Sequence, residues 1–77
     1  MVPSNIQEAI DDYVKNHREC GSFVMAVLKN DLLGAFSNAD IHSLAALKEI
    51  VGYLYYEIPG ICWGSPAKVT AWLRKKE

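Results

Sequence analysis

An all-α fold, a compact bundle of four to five short helices in a single helical domain over residues 1–77, is what this sequence predicts. Three observations predict it. Apolar residues recur three and four apart, no run alternates apolar with polar residues, and capping residues and breakers cut the chain into helix-sized pieces. With 51 % of its residues hydrophobic, the chain can fill one small core, and it lacks the polar bias of a disordered segment.

Ser4 and Gln7 have the spacing of a capping box, in which each side chain satisfies the other residue's backbone N–H. Ile6, Ile10, Tyr13 and His17 then share one face, and Glu8, Asp11, Asp12 and Lys15 the opposite one. That is a one-sided amphipathic helix. It is expected to end near His17-Arg18, with Gly21 placed to break it.

Ser22 can cap a second helix from Phe23. Its apolar residues cover nearly the whole circumference, as in a helix buried on all sides. The triplet Lys29-Asn30-Asp31 predicts a break, with Asp31 capping a short third helix. Asp40 is placed to cap the longest helix, expected from Ile41 to Ile58 and stopped by Pro59-Gly60. Its main stripe is Leu44, Leu47, Val51, Leu54 and Ile58, widened by Ile50 and Tyr55. Its rear face carries Ala45, Gly52, Tyr53 and Tyr56, with small residues that would let another helix come close. This predicts a face that is either central in the bundle or packed on a second copy as a homo-oligomer. Ser65-Pro66 opens the last helix, a hydroxyl cap followed by proline at the first helical position. The core is expected around Phe23, Val27, Leu28, Leu33, Phe36, Leu44, Leu47, Val51 and Leu54.

The formal net charge of −1, from eight Lys/Arg and nine Asp/Glu, does not provide the basic surface nucleic acid requires. A DNA-binding regulator would have to use Lys68, Arg74, Lys75 and Lys76, most of them at the chain's end. No apolar run approaches the ~20 residues of a membrane span, and Met1-Val2-Pro3-Ser4 does not begin a signal peptide. A cytoplasmic protein is expected, with Cys20 and Cys62 as free thiols.

Three constellations could carry chemistry. His17, Cys20 and Cys62 include a His and Cys three apart, half of a zinc site, without the paired Cys-x-x-Cys spacing that such sites show. No metal or other cofactor is expected. Cys20 or Cys62 as nucleophile with His17 or His42 as base would make an enzyme, yet nothing in the sequence joins them or makes either thiol reactive. A non-enzymatic protein is expected. The third is Ile61-Cys62-Trp63-Gly64-Ser65-Pro66, an apolar loop whose Trp63 either folds over the bundle or anchors a partner.

The segments Gly21-Ser22-Phe23, Ala26-Val27-Leu28, Asn30-Asp31-Leu32 and Ala39-Asp40 resemble a small family of helical proteins encoded by bacteriophages and prophages, with no known activity. The resemblance continues through Leu47, Ile50, Tyr53, Tyr55 and Pro59 to Cys62-Trp63-Gly64-Ser65-Pro66, Lys68-Val69 and Ala71-Trp72-Leu73. It implies a mobile-element setting and assigns no residue a role. The function expected is that of an accessory protein binding a host or phage protein. The alternatives are a counter-defence protein, either an anti-CRISPR-like inhibitor or a nucleotide-signal sponge, and a small DNA-binding regulator. Residues proposed for partner binding are Trp63, Tyr53, Tyr56, Gly52 and Ala45.

Overall fold

A computed structural model of the chain describes residues 2–75, and among these every regular element is a helix. The order is α1 (Ser4–Asn16), α2 (Ser22–Leu28), α3 (Leu32–Asn38), α4 (Ile41–Ala45), α5 (Leu47–Glu57), a 3₁₀ turn (Gly60–Cys62) and α6 (Pro66–Leu73). The all-α class stands, with six α-helices where four to five were expected. The additional helix arises inside the span read as one. At Ala46 the backbone leaves helical geometry (φ −95°, ψ 5°) and separates α4 from α5. No proline or glycine marks that position, so periodicity ran straight through it.

Three of the predicted caps form. The Asp31 carboxylate accepts from the Gly34 N–H at 3.0 Å, that of Asp40 from Ser43 N–H at 2.7 Å, and Ser65 Oγ from Lys68 N–H at 3.2 Å. The Ser43 N–H bond holds the Asp40 carboxyl below the ordinary aspartate range. At Gly34 a Cβ would collide with the Asp31 carboxylate, so a side chain there would make this cap shift.

The other two do not. Pro3 precedes α1 as its N-cap, and its carbonyl accepts from Ile6 and Gln7 N–H, so Ser4 is already helical and makes no capping bond. Likewise Gly21, in extended conformation, precedes α2, and Ser22 is its first residue. The break after α1 is made by His17 rather than Gly21. His17 adopts a left-handed conformation (φ 56°) and its N–H bonds back to the Tyr13 carbonyl.

The core is built around α2, whose Phe23, Val24, Ala26, Val27 and Leu28 are all buried. Ile6, Ile10 and Tyr13 of α1 meet it, with Ile50 and Leu54 of α5, Cys62, and Val69 of α6. Of the nine expected core residues, Phe23, Val27, Leu28 and Leu54 are buried and Leu47 is half-buried. Leu33, Phe36, Leu44 and Val51 are not, at 77 %, 65 %, 42 % and 42 % exposed. In α3 only Ala35 is buried. A methyl side chain lets the α3 backbone lie close on α2 and leaves no interior volume for the leucines and phenylalanine beside it. In α5 the break at Ala46 uncouples the phase of Leu44 from the helix after it. Ile50 and Leu54 then point inward while Val51 turns out.

Candidate functional site

Three rings, Tyr13, His17 and Trp72, fasten α1 to α6 and the turn before it. The Tyr13 hydroxyl, fully buried, donates to the Cys62 carbonyl at 2.7 Å. The Trp72 indole N–H donates to the Tyr13 carbonyl at 3.0 Å. His17 Nδ1 lies 2.8 Å from the Trp72 carbonyl oxygen; a carbonyl only accepts, so Nδ1 carries the hydrogen. The His17 and Trp72 rings stack with centroids 4.4 Å apart. These residues close α6 over α1. Long-range bonds of this kind leave no periodic trace, and only the burial of Tyr13 was legible.

His17 is therefore engaged as a donor in the α1–α6 contact. Among the described residues no group of three His, Cys, Asp or Glu is placed to hold a metal ion, so His17, Cys20 and Cys62 are not brought together as a ligand set. Both thiols are free. Burial, reinforced by the charges of Asp12 and Glu19 and partly offset by a backbone hydrogen bond, pushes the Cys20 thiol up to about 11. Burial also raises that of Cys62. Each is a protonated thiol at neutral pH, the unreactive form. Cys20 borders a groove of about 700 Å³ whose rim mixes Glu19, Asp31, Lys29 and Arg74.

The residues proposed for partner binding divide. Trp63 is half-buried and packed against the core, and its indole N–H donates to the Ile58 carbonyl at 3.3 Å. Next to it Gly64, at φ 114°, donates its N–H to the Leu28 carbonyl at 2.7 Å. A side chain is disfavoured at that φ, so glycine permits the docking of this loop on the end of α2. Trp63 thus folds over the bundle. Tyr53 is held on α1 by a hydrogen bond from its hydroxyl to the Asp11 carboxylate, which, with some burial, raises its pKa to about 12.

The side of α5 turned away from the core is open, and it includes Tyr55, which the sequence places on the main stripe. Tyr56 is 79 % exposed and Tyr55 70 %, and their rings meet edge-on with centroids 4.9 Å apart. Ala45 is exposed, and a Cβ at Gly52 would meet nothing within 4 Å. Gly52 and Tyr56, four residues apart on α5, share one side of that helix, whereas Ala45 lies before the break at Ala46, on α4.

Sequence periodicity missed the larger exposed surface. Leu32, Leu33 and Phe36 of α3, Ile41 and Leu44 of α4, and Val51 of α5 all lie outside the core. Leu32 and Val51 border the same shallow cleft, floored by Val27, Ala35 and Leu47. A soluble monomer seldom shows an apolar patch of more than a few hundred Å².

What the fold and surface define is a class, a small helical bundle with large apolar side chains left uncovered and, among the described residues, no group of three His, Cys, Asp or Glu placed to hold a metal. No family model, curated protein or solved structure matches the chain. Among the described residues no helix is long and apolar enough to cross a membrane.

Proposed function

We propose that this chain is a small non-catalytic accessory protein of a phage or similar mobile element, acting by binding a host or phage protein. One observation carries the reading. Nine large hydrophobic side chains stand at least 42 % exposed on a domain whose core is already closed around α2. The partner surface is the outward side of α5 around Gly52 and Tyr56. Tyr55 and Tyr56 supply large, stiff contact area at its end, and tyrosine is among the residue types that carry most binding energy at interfaces. Gly52 leaves this side shallow enough for a partner's helix or loop to lie along it, and Ala45 is a second small exposed residue, on α4.

Counter-defence, by occluding a host immune complex, is one specific form of this reading. A nucleotide sponge needs a cationic pocket, and DNA binding a basic face; neither is favoured by a net charge of −1.

The test is capture from a bacterial host lysate with wild type, Tyr56→Ala and Gly52→Arg. Both variants keep the fold: Tyr56 is mostly in water, and arginine is the better helix former with open space to occupy. A defined protein retained by wild type and lost by both variants is expected. Retention of DNA or a nucleotide, or equal capture by all three, overturns the proposal.

A further inference from the structure

We infer that Tyr55 and Tyr56 receive an arginine or lysine side chain of the partner in the corner between their rings. The inference rests on the reading of α5 as the partner surface and adds the chemistry of what that surface binds.

The corner follows from the order of residues on α5. A helix leans its side chains toward its N-terminus, so Tyr55 and Tyr56 lie over the turn that holds Gly52, three and four residues before them. Gly52 has no side chain to fill that turn, and a Cβ there would meet nothing within 4 Å. The two rings stand at 89° to each other with centroids 4.9 Å apart, and both are mostly in water. Two ring planes at right angles beside a glycine make a two-walled recess open to solvent.

The chemistry of the walls selects a cation. An aromatic ring is negative on its face and positive at its edge, so a guanidinium or ammonium is drawn to the face. The surrounding charges agree in sign. Both tyrosines lie in the last turn of α5, at the negative end of the helix dipole, and Glu57 is the last residue of that helix. Asp11 of α1 is tied to the same stretch through Tyr53. The hydrogen bond to Asp11, then burial and the charge of Glu57, keep the proton on the Tyr53 hydroxyl. Glu49 and Lys48, three and four residues before Gly52, offset each other. A carboxylate in this corner would meet the ring faces and Glu57 with the wrong sign, and an aliphatic side chain would leave those charges unanswered.

Two-dimensional NMR of the whole chain, titrated with the blocked tripeptide Gly-Arg-Gly and with its citrulline counterpart, tests the inference. Citrulline keeps the shape of arginine and loses its charge. The arginine peptide is expected to shift the resonances of Gly52, Tyr55 and Tyr56, and the citrulline peptide to bind about three- to fivefold more weakly, the range of an exposed cation–ring contact. The double variant Tyr55→Leu/Tyr56→Leu keeps apolar bulk without the rings and is expected to bind arginine about tenfold more weakly. Gly52→Arg supplies a guanidinium of its own to the corner and is expected to lose the response, with circular dichroism confirming the fold of each variant. Equal binding of the two peptides overturns the inference, as does a leucine double variant that binds like wild type, or an arginine response that is absent or confined to other residues. Capture of a lysate protein by wild type without an arginine response would refute this inference and leave the partner reading standing. An arginine response without any captured protein would do the reverse.

Discussion

Ile50→Ala is expected to destabilise the monomer by about 2–5 kcal/mol, whereas Val51→Ala, one residue on, should cost less than about 1 kcal/mol. Ile50 is fully buried and Val51 is 42 % exposed. Truncating Ile50 removes apolar atoms from among packed neighbours and leaves a cavity, which in a small domain consumes a large share of the ~5–15 kcal/mol available. Val51 loses two methyls that already touch water. Urea unfolding of the two variants, dilute enough to keep the chain monomeric, gives the comparison. Equal losses would mean that α5 is rotated from the orientation described.

Tyr13→Ala is expected to be at least as damaging, about 3–5 kcal/mol, since a fully buried ring is removed. Tyr13→Phe separates the hydroxyl from the ring. It leaves the Cys62 carbonyl buried without its donor, at a cost of about 1–3 kcal/mol. The same hydroxyl makes stability depend on alkaline pH. Burial, helped by the neighbouring Cys62 and Cys20, raises Tyr13 from its ordinary value near 10 to about 12. The folded state thus keeps a proton that the unfolded chain releases. Cys20 behaves alike, rising from near 9 to about 11. The unfolded state binds fewer protons in this range, so stability is full below about pH 9 and declines between pH 9 and 12. In Tyr13→Phe the decline above pH 10 should be shallower. A wild-type stability that is flat from pH 9 to 12 would contradict the burial of both groups.

How much of this was legible follows the range of the interactions. Asp31, Asp40 and Ser65 cap helices through bonds to an N–H three residues ahead, so the sequence carries the whole device. Helix α1 was legible for the same reason, its stripe of Ile6, Ile10 and Tyr13 having one side to bury. Misreadings began where two local solutions compete. Pro3 and Ser4 can both open a helix, and a left-handed histidine can end one before the glycine arrives. The facing of α3 was not legible, and that of α5 only in part, at Leu54 and Leu47. Leu33, Phe36, Leu44 and Val51 fit a helical stripe, but which side of a short helix is covered depends on how closely its neighbour approaches. Here Ala35 sets that approach and a break at Ala46 shifts the phase. Of the candidate site, Gly52 and Tyr56, four apart on one helix, were readable from spacing, and the relation of Ala45 to them across the break at Ala46 was not. The inward fold of Trp63 and the tether of Tyr53 to Asp11 depend on contacts that no local pattern encodes.

The central claim is that this domain closes its core without α3's large side chains and presents them outward. Thermal unfolding of the double variant Leu33→Glu/Phe36→Glu, in dilute solution and followed by far-ultraviolet circular dichroism, tests it most directly. Two carboxylates placed in a packed interior would abolish folding, because neither could be solvated or paired. On the outward face they meet water. A helical spectrum and a cooperative melt close to that of the dilute wild type are predicted; an unfolded double variant would contradict the claim.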